Sequence, residues 1–110
     1  MIQSELRRLL ADHTGLTRSE LIHFLARKTG LTRVETETVV DGLFGTIQEV
    51  LTMGKKVELR GFGTFLVRVR QPREARNPAT QEIVMLDRRA VPVFKPSKTL
   101  RAAVDQALES

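Results

Sequence analysis

Arg68, Arg70, Arg73 and Arg76 fall within nine residues, and Asn77-Pro78 follows at once. Nothing in this run pairs a nucleophile with a base, so the chemistry open to it is binding. It begins as a strand: after Gly61-Phe62-Gly63, the residues from Phe65 to Val69 alternate as in a half-buried strand. Beyond Arg70 the apolar half stops. What continues is Arg73, Arg76, Asn77 and Pro78, with no large apolar side chain to hold it on a core. A cationic strand that leaves its globule and ends in an Asn-Pro turn needs a partner, and a polyanion is the obvious one.

The charge distribution agrees. The 110 residues carry a net charge of +5. Between residues 60 and 101, ten Lys and Arg face three acids, a balance of +7, while the rest of the chain balances at −2. Charge segregated in this way is the footprint of an electrostatic docking surface. There is no Cys, hence no disulfide and no thiolate metal site. His13 and His23 have no companions for metal binding or catalysis, so no enzyme, metal or cofactor is expected. No apolar run has the length of a membrane span and the first residues are unlike a signal peptide, which predicts an intracellular, soluble protein. The length suits one small domain, whose limited core would gain from self-association.

The elements that position these arginines read as α+β. Residues 4–17 lie over residues 19–32 with nine of fourteen positions identical, at a period of fifteen. This is a tandem duplication of one helix with its closing turn, and two copies do not make a solenoid. The first copy predicts a short extra helix over 4–13 ended by Gly15, with a frayed tail as the alternative. In the second, Thr17 and Glu20 form a capping box, Leu21, Ile22, Leu25 and Ala26 an apolar stripe, and Gly30 the closing residue. Thr32 and Glu35 repeat the box and open the longest helix, about 33–53, with Gly54 as its stop. Residues 56–60 read as a strand with Val57 and Leu59 inward and Glu58 and Arg60 outward. The second strand runs from Thr64 into the arm, turns at 77–80, and returns near 83–86. Val91-Pro92-Val93-Phe94 rejoins the core. Ser97 caps a last helix to about 108, whose Leu100, Ala103, Val104, Ala107 and Leu108 form an apolar stripe.

Taken together, Gly61-Phe62-Gly63-Thr64-Phe65, Arg76-Asn77-Pro78 with Thr80, Val91-Pro92, and Phe94-Lys95-Pro96 before Lys98 and Leu100 resemble the bacterial HU and integration host factor family of DNA-bending proteins. The resemblance runs from about residue 16 to the last helix. It implies an HU/IHF-like domain over 16–110 with its arm at about 68–89, and an extension over 1–15. The implied fold is a helical body and a three-stranded antiparallel sheet extended into a β-hairpin arm, assembled as an intertwined homodimer. A heterodimer with a paralogue fits the resemblance too. The implied partner is double-stranded DNA in a cytoplasmic nucleoid, held by arms in the minor groove. Pro78 becomes the intercalating wedge, flanked by Arg76 and Asn77. Arg68, Arg70 and Arg73 line the arm, Arg88 and Arg89 its return, and Lys95, Lys98 and Arg18 the body. Two positions depart from the family pattern: Gln81 stands where glycine is common, and Glu82 where a basic residue is frequent.

Each assignment has a plainer reading beside it. Pro78 on its own is a turn proline, and Arg88-Arg89 a solvated loop. Glu58 and Arg60 resemble positions that help read sequence in the β subunit of integration host factor, yet they also suit an ion pair on the sheet surface. Three functions follow: a largely sequence-nonspecific architectural bender, a site-preferring bender, or a self-assembling structural protein. A helix-turn-helix reader over 17–53 is disfavoured because 32–53 is too apolar for an exposed recognition helix.

Overall fold

The computed structural model describes residues 6–8, 10–11 and 14–109. The chain divides into two compact units, Met1–Thr46 and Ile47–Ser110. The elements are α1 (Arg18–Thr29), α2 (Arg33–Thr52), β1 (Val57–Leu59), β2 (Gly63–Arg70), β3 (Arg73–Arg76), β4 (Ile83–Leu86), β5 (Arg89–Pro96) and α3 (Lys98–Glu109).

Both capping boxes form. Thr17 Oγ1 accepts from the Glu20 amide at 3.2 Å, while the Thr17 amide donates to Glu20 Oε1 at 3.0 Å. Thr32 and Glu35 repeat this at 3.1 and 2.9 Å. Losing such a threonine costs a helix roughly 1 kcal/mol. Gly30 closes α1 at φ 79°, its amide donating to Ala26 O at 3.0 Å. In the first unit Ile22 is fully enclosed, and Val40 and Thr36 are buried. The Thr36 hydroxyl donates to Thr32 O at 2.8 Å, so its burial leaves no unmet polar group. Of the predicted N-terminal helix, residues 6–8 and 10 are helical, and the Ala11 amide donates to Arg8 O at 3.4 Å. Residues 4, 5, 9, 12 and 13 lie outside the described residues.

The second unit is built on the sheet β1-β2-β5, antiparallel throughout with β2 central. Pro92 sits on β5, an outer strand, where a missing amide hydrogen is tolerated. Phe94 packs against Phe62 at 5.3 Å and Phe65 at 4.8 Å between ring centroids. Gly63 is required beneath it: a Cβ there would lie 2.6 Å from Lys95 O and from the Phe94 ring. Ser97 fastens the turn to α3. Its amide donates to Phe62 O at 2.8 Å, and its hydroxyl donates to Gly61 O at 2.9 Å. The same hydroxyl accepts from the Leu100 amide at 3.0 Å, which caps the helix as expected.

Among the described residues only Ile22, Val40 and Ile47 are buried large hydrophobic side chains. Val34, Val39, Leu43 and Phe44 on α2 are exposed, and so are Val104 and Leu108 on α3. The apolar stripe of the last helix therefore exists but is left open by a single chain. No described helix is long and apolar enough to cross a membrane.

Candidate nucleic-acid interface

The arm is one hairpin in two pieces. β2 and β5 pair from Gly63 opposite Pro96 out to Arg70 opposite Arg89. β3 and β4 then pair from Arg73 opposite Leu86 to Arg76 opposite Ile83, in step with the register below. The pieces are parted at Gln71-Pro72 on one strand and Asp87-Arg88 on the other. Pro72 has no amide hydrogen to give the ladder, which accounts for the break.

Residues directly opposite on an antiparallel pair share a face. The register thus collects Arg68, Arg70, Arg89 and Lys95 on one face of β2 and β5, while Phe65, Val67 and Phe94 take the other. All four cations are exposed. None has a carboxylate partner among the described residues. Arg70 and Arg89 stand directly across from each other, an arrangement that costs energy unless an anion lies over both. In the outer piece Arg73 shares a face with Ala75, Val84 and Leu86, whereas Arg76 shares the opposite face with Glu74, Ile83 and Met85. The arm arginines consequently do not form a single line.

At the tip, Asn77 Oδ1 accepts from the Ala79 amide at 2.9 Å. The Gln81 amide donates to Asn77 O at 2.7 Å, and the Asn77 amide to Glu82 O at 2.9 Å. The turn so made runs over 77–82, wider than the 77–80 expected, and leaves Pro78 exposed within it. Gln81 adopts φ 63°, the left-handed region that favours glycine. Arg88 is exposed in the break, Lys98 is the first residue of α3, and Arg60 follows β1. Arg60, Lys95, Glu58 and Thr64 help line an open cleft of about 440 Å³.

Two expectations change in detail. Glu58 does form an ion pair, but with Lys56 Nζ at 2.8 Å and not with Arg60. Lys56 and Arg60 each stand two residues from Glu58, so strand alternation allows either partner and the fold selects Lys56. The Lys56 ammonium holds the Glu58 carboxyl below its ordinary range, first by the hydrogen bond and then by charge. Arg18 is not a free cation. Its Nη2 lies 2.6 and 2.8 Å from the two carboxylate oxygens of Asp41 and 3.3 Å from Glu37 Oε1. Those hydrogen bonds, Asp41 before Glu37, raise its pKa above the ordinary value.

Comparison with known proteins gives a consistent result. The family profile described as bacterial DNA-binding protein matches residues 1–105, and so includes the segment before residue 16. The integration host factor β subunit of Pseudomonas fluorescens is 38% identical over 109 residues, covering 99% of this chain and 97% of its own. That of Haemophilus influenzae is 46% identical over 71 residues, 64% of this chain and 76% of its own. Among solved structures, HU from Anabaena, in a cocrystal with DNA, superposes with a TM-score of 0.75 at 36% identity, covering 81% of this chain and 97% of that one. A cationic hairpin on an antiparallel sheet, unpaired arginines set face to face, and these likenesses agree: the chain belongs to the HU and integration host factor family of bacterial DNA-binding proteins.

Proposed function

We propose that this protein is an architectural component of the nucleoid that bends and compacts duplex DNA, its arm lying in the minor groove with Pro78 as the wedge. The observation that carries the reading is the pairing of Arg70 with Arg89 on the face that also bears Arg68 and, six residues along from Arg89, Lys95: four exposed cations with no carboxylate partner among the described residues. Phosphates supply what the protein withholds. Pro78 suits the wedge because it is rigid and apolar and has no amide hydrogen to strand between bases. Unstacking a step costs a few kcal/mol in minor-groove architectural proteins, for which this family is a standard example. Arg73, Arg76 and Asn77 follow the groove near the tip, Arg88 and Arg89 the returning strand, and Arg60, Lys95 and Lys98 the flank. Arg18 is left in a structural role by its two carboxylates.

The working unit is a dimer. The exposed apolar side chains of α2 and α3 favour it, since covering each one gains roughly 1.5–3 kcal/mol. The likeness to two integration host factor β subunits favours a second reading, a bender with preferred sites, in which Glu58 and Arg60 in the open cleft meet the bases. Competition between random and selected duplexes separates the two readings. The wedge is tested by Pro78→Ala with end-labelled duplexes, energy transfer reporting the bend and anisotropy the affinity. Bending is expected to fall more than binding. Equal bending by the variant would remove Pro78 from the mechanism.

A further inference from the structure

We infer that Glu82 makes the arm tip select base steps that carry a guanine amino group. The inference rests on the minor-groove reading above and adds a chemical preference to it. The Glu82 backbone is fixed on both sides. Its amide donates to Thr80 Oγ1 at 3.4 Å, and its carbonyl accepts from the Asn77 amide at 2.9 Å. The side chain is exposed one residue from Gln81, and no cation pairs with it among the described residues. Gln81 Nε2 donates to Pro78 O, 3.5 Å away, and the Glu82 carboxylate is the one ionised acceptor in the turn over 77–82.

An ionised carboxylate only accepts hydrogen bonds. The floor of the minor groove offers acceptors, adenine N3 and thymine O2, at every A·T pair; its one donor is the exocyclic N2 amine of guanine. A carboxylate anchored at the tip is therefore repelled by an A·T floor and complemented by a guanine. A tip bearing a Lys or Arg at this position has the reverse chemistry. The tip of this chain thus reads G·C against A·T, while the rest of the arm contributes charge without sequence.

The test uses the full chain and two duplexes of one sequence, one with guanine and one with inosine at every guanine. Inosine deletes the N2 amine and leaves the major-groove edge unchanged. Affinity and bend are measured for both duplexes with the native protein and with Glu82→Ala. Inosine also softens the duplex, but this acts on both proteins alike and cancels in the double ratio. One charge-assisted hydrogen bond gives a double ratio of about tenfold or more in favour of guanine with the native protein. A ratio near one, with both duplexes still bound and bent, overturns the inference and leaves the architectural reading intact. A preference for inosine that depends on Glu82 overturns it equally. Failure of the native protein to bind either duplex overturns both readings, and loss of all binding by Glu82→Ala alone overturns the inference, because one groove contact cannot carry the whole affinity.

Discussion

Replacing Arg89 with Thr removes one of the two charges that the β2–β5 register sets against each other, Arg70 being the second. Both side chains are exposed, so water screens them, and directly opposed like charges on such a pair cost roughly 0.2–1 kcal/mol. Thr is a good strand former, so little is lost in its place. The isolated protein should therefore be slightly more stable, with a Tm higher by a few degrees at about 4–8 °C per kcal/mol. DNA binding should move the other way. A dimer loses two phosphate contacts, each contributing about 0.9 to the slope of log Kobs against log salt, so the slope flattens by about 1.8. Across a fourfold change in salt this makes the affinity loss about twelvefold smaller than for the native protein. Anisotropy titrations of a labelled duplex over a salt series give the slope, and circular-dichroism melts at matched concentration give the stability. An unchanged slope refutes phosphate contact by Arg89. A clear fall in Tm shows that the charge supports the fold instead of straining it.

Gly63→Ala should destabilise the second unit by about 1–3 kcal/mol, because the added carbon meets Lys95 O and the Phe94 ring at 2.6 Å; urea unfolding reads this as a lowered midpoint. Gln81→Gly should tighten the arm tip by about 0.5–1 kcal/mol, since relief from the left-handed backbone exceeds the entropy that glycine brings. Slower hydrogen exchange of the Asn77 and Gln81 amides checks it. Glu35 has its carboxyl held below the ordinary value of about 4.5 by the Thr32 amide and then the Thr32 hydroxyl. Its folded value is depressed, so its stabilisation is present above that ordinary value and is lost as pH falls through the lower folded one. Melts from about pH 7 to pH 3 should show the gap between native protein and Glu35→Gln closing in that acid range. A constant gap counts against the cap.

What the sequence disclosed was mostly local. The threonine–glutamate boxes at 17–20 and 32–35 and the Ser97 cap were legible because each closes on a residue three positions away. The strands followed from alternation, and the break beyond Arg70 could have been placed from Pro72 alone. Features that depend on register or folding were hidden. Nothing in the order of residues sets Arg70 against Arg89, nineteen positions later; only the pairing does. Arg18 read as one more free cation because its partners Glu37 and Asp41 lie on another helix. That Arg73 and Arg76 take opposite faces needed the strand over 73–76, which the sequence alone merges with the second strand. The left-handed Gln81 was half legible: its place could be marked as unusual, but its backbone angle needed the turn.

The gap at Pro72 gives the hairpin an elbow. Over that stretch the inner and outer ribbons are joined by covalent chain without ladder bonds, so either can swivel while the other keeps its own pairing. A curved track can then be followed by the fingertip as the wrist stays gripped, and a sharper curve need not pull the sheet apart. On the proposed reading of the arm, this joint is where its course can change without the loss of a ladder bond.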